Sequence, residues 1–316
     1  MAQLKSKTFQ AALHRVLVEL GASEMMQRRS VIAIGAVTFG ILAVAAGPAC
    51  GQPPSWLDSL GYAPTELSRV IVRSDGRPYI PVKLDGREFW LLFDTGNMVG
   101  LTLATPYFEG LSVCLAGTVR RRDSSGELVG EFRIGIVSQA ELLGHSQRDA
   151  RVYEFDAPRL VGLLGPNELP GTRFTLDYRT GVLAVSSTPL PAGAGRGVDN
   201  PLVRSGAHPR LVVVEGSVRG RSILIELDTG KSRAVIDPEW ATEAGIDARG
   251  DTVAVGSARI GRLSVEVKNA KPVSLVAIDS ELPLPLALSL GSDVLSRYLM
   301  TVDYARGVVL LREIGQ

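Results

Sequence analysis

The chain has 316 residues, with Lys+Arg 34 against Asp+Glu 33, a formal net charge of +1, 45% hydrophobic residues, 34 Gly, 18 Pro, 2 Cys and 3 His. Balanced charge without a basic block provides no field for nucleic acid, and Cys50 and Cys114 are too few for a disulfide framework and lack zinc-site spacing. His14, His145 and His208 lie far apart, so no His-dependent nucleophile is supported, and no metal or cofactor is expected.

In chain order, the first feature is Val31 to Ala46, an uncharged run of 16 residues preceded by Arg28-Arg29 and followed by small residues and Pro. A spanning helix needs about 20 apolar residues and a signal core about 7–15, so the run reads as an export signal or as a retained single-pass anchor. An anchor would keep the N-terminus inside, because the arginines flank that side. Arg28-Arg29-Ser30-Val31-Ile32 resembles a twin-arginine export signal, and a start at Met25 or Met26 would leave a signal peptide of ordinary length. Residues 5–20 have helical apolar spacing. Cys50 lacks the aliphatic residue expected three positions upstream of a lipidated cysteine. Residues 1–50 are therefore an export signal or membrane tether with an N-terminal extension, which places the protein across the cytoplasmic membrane, in the periplasm or cell envelope.

Beyond this segment, glycine exceeds its usual share of about 7%, and short Val-, Leu- and Thr-rich runs between Gly and Pro favour all-β structure. The runs repeat. Gly86 lies eight residues before Asp94-Thr95-Gly96, and Gly220 eight before Asp228-Thr229-Gly230, at an offset of 134. Farther on, Gly162-Leu-Leu-Gly165 with Phe174-Thr-Leu-Asp177-Tyr178 matches Ser289-Leu-Gly291 with Met300-Thr-Val-Asp303-Tyr304 at an offset of 126. The difference gives the first copy eight extra residues, expected around Arg120–Gly126, where a loop tolerates length change. Asp85-Gly86, Ser125-Gly126, Thr180-Gly181 and Arg306-Gly307 predict hairpin turns. A short helix is expected after each apolar-Gly element, near 167–169 and 293–297. The Pro-, Gly- and Ser-rich stretch contains a linker at 189–197, so the expected domains are 64–188 and 198–316.

Equivalent Asp-Thr-Gly triplets in duplicated domains point to one shared site, because twofold packing of the copies brings Asp94 and Asp228 together at the axis. Two adjacent carboxylates share one proton and titrate as a pair. One takes a proton from water while the other protonates a carbonyl oxygen, which is sufficient chemistry for amide hydrolysis. Gly96 and Gly230 permit a tight turn, and the Thr95 and Thr229 hydroxyls are placed to tie the loops together. A lone Asp-Thr-Gly is an ordinary strand-ending turn; the matched partner elements distinguish this pair.

Asp94-Thr-Gly96 with Gly162-Leu-Leu-Gly165, and Asp228-Thr-Gly230 with Leu288-Ser-Leu-Gly291 through Asp303-Tyr304, resemble two copies of the retropepsin-like aspartyl protease domain, over about 245 of the 316 residues. The resemblance implies two tandem acid-protease β-barrel domains forming a pseudo-twofold single-chain dimer, closer to bacterial tandem members than to pepsin. It also implies catalytic Asp94 and Asp228, an extended polypeptide substrate, and a hairpin flap over the cleft, among residues 110–135. Two positions depart from the family: Asn97 and Lys231 stand where Ala, Ser or Thr usually follows the triplet. Asn97 keeps a donor without charge. Lys231 would lower the pair's pKa if it faces the dyad, or leave it alone if it turns to Glu226 or Asp237. Gly230-Lys231-Ser232 is not a phosphate loop, because Ile225 stands where that motif needs Gly. Two functions follow, an aspartic endopeptidase and, if Lys231 blocks turnover, a peptide-binding or scaffolding module of the same fold.

Overall fold

The structure is a computed structural model that describes residues 54–122, 128–157, 159–194, 199–204, 206, 209–275 and 282–314. The expected export or anchor segment at 1–50, part of the linker and the Ser125-Gly126 turn lie outside these residues. Among those described, no helix is long and apolar enough to cross a membrane.

The chain is predominantly β. The first half contributes β1 (Leu67–Arg69), β2 (Ile71–Val72), β3 (Pro78–Leu84), β4 (Arg87–Phe93), β5 (Leu101–Ala104), β6 (Cys114–Arg122), β7 (Leu128–Leu142), β8 (His145–Phe155), β9 (Gly162–Leu164), β10 (Arg173–Asp177) and β11 (Val182–Ser186). The second contributes β12 (Asp199–Pro201), β13 (Val213–Val218), β14 (Arg221–Leu227), β15 (Val235–Ile236), β16 (Gly256–Ile260), β17 (Leu263–Val267), β18 (Lys271–Pro272), β19 (Leu286–Leu290), β20 (Tyr298–Asp303) and β21 (Val308–Glu313). The short helices are α1 (Trp56–Leu60), α2 (Thr105–Glu109), α3 (Pro238–Glu243) and α4 (Ser292–Leu295). α4 lies within a residue or two of its expected place, whereas the counterpart after Gly165 is a single 3₁₀ turn, Pro166–Glu168.

Strand pairing repeats between the halves. β3 and β4 form an antiparallel hairpin, β4 runs parallel to β9, and β9 runs antiparallel to β5. β13, β14, β19 and β15 repeat this order with the same directions. Asp85 and Gly86 both have positive φ (46° and 80°), and Arg219 and Gly220 match them (51° and 76°), as a two-residue hairpin turn requires. The parallel pairs are buried on both faces, which explains their near-continuous apolar sequence.

The length difference between the halves is not one insertion. Lys83 pairs with Glu141 and Ser217 with Arg259, an offset of 118 on the second strand, against 134 upstream and 126 downstream. The first half therefore carries sixteen extra residues before this point and eight fewer after it. The sixteen build the long β6–β7 ribbon, whose pairing continues from Cys114↔Ile136 to Arg122↔Leu128.

A six-stranded sheet, in the order β1-β11-β10-β20-β21-β12, draws on both halves. At its centre β10 and β20 pair reciprocally: Phe174↔Val302, Thr175↔Thr301 and Leu176↔Met300 map onto one another under the 126-residue offset. The Thr175 and Thr301 hydroxyls meet at 2.8 Å. Because this sheet is shared, Gln52–Gln316 forms one unit. A strap ahead of the expected first domain packs against it, with Trp56, Leu57, Leu60 and Tyr62 clustering on Ala184, Leu299 and Leu310.

Candidate active site

Each Asp-Thr-Gly loop leaves the end of a buried strand and is held by the apolar-Gly strand of its own half. Asp94 N–H donates to Leu164 O at 3.0 Å, and Asp228 N–H to Leu290 O at 3.0 Å. Behind the first loop, Phe93 stacks edge-on against Phe174 of the six-stranded sheet, 5.3 Å between centroids.

The two loops are cross-linked by the threonines. Thr95 Oγ1 donates to Leu227 O at 2.6 Å and accepts from Thr229 N at 3.0 Å. Thr229 Oγ1 donates to Phe93 O at 2.6 Å and accepts from Thr95 N at 3.1 Å. Both side chains are buried, so these bonds form away from competing water. The lattice ties the residue before one aspartate to the residue after the other, and the Asp94 carboxyl lies against Gly230 while that of Asp228 lies against Gly96. Each also accepts from its own loop glycine, Gly96 N–H at 2.9 Å and Gly230 N–H at 2.8 Å. Glycine is required at both places, because a Cβ on Gly96 would strike the Asp228 carboxyl and one on Gly230 the Asp94 carboxyl.

The charges are unequal. Burial and the neighbouring Asp228 push the Asp94 carboxyl well above the usual carboxylate range. Asp228 is buried too, but the Lys231 ammonium outweighs that cost and holds it below the usual range. Lys231 Nζ donates both to Asp228 Oδ2 and, at 3.0 Å, to Glu226 Oε2. Burial opposes the ammonium, yet the two carboxylates raise its pKa above that of an ordinary lysine. The two orientations open to Lys231 in the sequence are thus one arrangement that touches the dyad and Glu226 together. Asp237, the other candidate partner, caps α3 by accepting from Glu239 N and Trp240 N. Asn97 serves its own loop, donating to Gly100 O at 2.7 Å and accepting from Val99 N at 3.2 Å.

All eight sequence-derived site residues, Asp94, Thr95, Gly96, Asn97, Asp228, Thr229, Gly230 and Lys231, thus fall on two adjoining loops. Sequence reasoning missed two arginine contacts that cross between the halves, one onto the second triplet loop and one onto the turn after Gly165. Arg77 donates to Gly230 O at 3.5 Å, and Arg210 donates to Pro166 O at 2.7 Å. It also missed Ser289, whose hydroxyl donates to Glu226 at 2.6 Å. A serine and a glutamate interrupting otherwise apolar parallel strands were the available signal. No known protein-family model matches the chain, and no curated protein matches it.

Proposed function

We propose that the protein is an aspartic endopeptidase of the tandem retropepsin-like kind, with two acid-protease β-barrel halves completing one site within a single chain. The observation that supports this reading is the reciprocal Thr95/Thr229 hydrogen bonding between the two triplet loops, beside which burial raises the Asp94 carboxyl while Lys231 lowers that of Asp228. A water between them would lose its proton to the ionised carboxylate, and its oxygen would attack the peptide carbonyl carbon. The other carboxyl would protonate the carbonyl oxygen. The substrate is an extended polypeptide, the β6–β7 ribbon is the candidate flap, the active form is a monomer by internal pseudo-dimerisation, and the leader delivers it exported or membrane-tethered. The full chain should cleave a denatured protein between pH 3 and 7, while Asp94→Asn and Asp228→Asn should each lower the rate at least about a hundredfold. Cleavage at the unmodified rate by both variants would refute the assignment.

The ion pair between Lys231 and Asp228 favours one second reading, a peptide-binding module of the same fold that does not turn over. Such a protein would bind a statine-type peptide and leave every denatured substrate intact.

A further inference from the structure

The two halves support their loops differently. In the first, β4 meets β9 at Leu92↔Leu163; in the second, β14 meets β19 at Glu226↔Ser289. The repeat offsets make Glu226 the counterpart of Leu92, Ser289 of Leu163 and Lys231 of Asn97. Leu92 and Leu163 pack with Tyr79 in an apolar cluster. Glu226, 1% exposed, instead accepts from Ser289 Oγ at 2.6 Å and Lys231 Nζ at 3.0 Å, and the same ammonium reaches Asp228. An ion pair that buries its carboxylates, with the Lys231 side chain 30% exposed, is a poor stability device, since apolar residues of similar volume commonly serve as well or better. This protein holds that apolar solution in the same register of its other half, so a functional reason for the polar one is called for.

We propose that Glu226, braced by Ser289, is a positioning residue that clamps Lys231 on Asp228, so that the dyad's single proton resides on Asp94, and offsets part of the ammonium's charge, so that the dyad retains that proton. The consequence rests on the endopeptidase reading: Asp228 is the base that takes the proton from water, and Asp94 the acid that gives its own to the carbonyl oxygen. On breakdown the C–N bond breaks, Asp228 returns its proton to the departing amine, and Asp94 recovers one from the diol. Without Glu226 the ammonium would act on the dyad uncompensated and draw its titration down. Without Lys231, Asp228 would face the Asp94 and Glu226 carboxyls, and its titration would rise. Among the described residues, further ionisable groups beside the site are Tyr178, whose hydroxyl lies 3.5 Å from Ser292 Oγ, and Arg77, which is itself paired with Asp75.

The test is a carboxyl ¹³C NMR titration of the full chain labelled at Asp Cγ, from pH 1.5 to 8, with Asp94 and Asp228 assigned from their Asn variants. Glu226→Gln should move the Asp228 titration down by about half a pH unit or more, and Lys231→Met should move it up by about one. The triple variant E226L/S289L/K231N copies the packing of the first half, so it carries the test if a single variant fails to fold; its Asp228 titration should also rise by about one pH unit. In a cleaving protein the limbs of the kcat/KM pH profile should follow. Shifts of Glu226→Gln and Lys231→Met in the same direction, or an unmoved Asp228 in the triple variant, would overturn the proposal. Predicted shifts in a protein that cleaves nothing would refute the endopeptidase reading and leave the charge placement standing, and cleavage with unmoved carboxyls would do the reverse.

Discussion

Thr229 illustrates how much one side chain holds at this site: its hydroxyl satisfies Phe93 O and Thr95 N across the junction, with none of its surface exposed. Thr229→Val keeps the shape and strands both groups, so it should cost about 2–3 kcal/mol of unfolding free energy, measured by denaturant titration. A loss below about 0.5 kcal/mol would mean that the lattice is not structural. At this scale much was legible. Each triplet announces its aspartate, threonine and glycine because the turn and close approach demand those residue types. The reach of Lys231 was not legible, since a flexible stem next to two carboxylates leaves its direction to packing. The turning of Asn97 into its own loop was equally hidden, as it depends on the path of the chain through Val99 and Gly100.

Among the elements, the β6–β8 region most distinguishes the first half, and its base has an electrostatic anchor. Glu154 of β8, 8% exposed, accepts from Arg133 of β7 through Nε at 2.8 Å, a terminal nitrogen at 2.7 Å and the backbone N–H at 3.1 Å. The Arg133 side chain hydrogen bonds outweigh burial and hold the Glu154 carboxyl down at about 2. A depressed carboxyl contributes stability that is present above its unfolded value, near 4.5, and fades as pH falls towards about 2. Glu154→Gln should therefore cost about 1–2 kcal/mol at pH 7, with Arg133 partly in solvent, and little at pH 2.5. Denaturant titrations at both pH values check this, and an equal cost at both would contradict it. The Asp85-Gly86, Thr180-Gly181 and Arg306-Gly307 turns were readable because local backbone chemistry sets them. The compensating length changes around the long ribbon were not, because a sequence offset records only their net value and strand register reveals both.

For the whole molecule, what was legible is the duplication; what was not is how the copies are stitched. The six-stranded sheet depends on residues more than 100 positions apart, and nothing local in Phe174-Thr-Leu or Met300-Thr-Val specifies their antiparallel meeting. The strap at 54–62 lies outside the expected first domain, 64–188. Yet Trp56 Nε1 donates to Asp177 at 2.8 Å, and the buried Arg173 binds Leu60 O and Gly61 O with its guanidinium 4.1 Å from the Tyr62 ring centroid. The shared sheet also bears on stoichiometry: with both aspartates in one chain, a single polypeptide contains both carboxyls of the proposed site. The most direct measurement is an active-site titration of the full chain, in which cleavage of a denatured protein is followed as a tight statine-type peptide is added. Cleavage should fall linearly to zero at one inhibitor per chain. An end point at one inhibitor per two chains, or cleavage that persists at excess inhibitor, would contradict a site built from Asp94 and Asp228 of the same molecule.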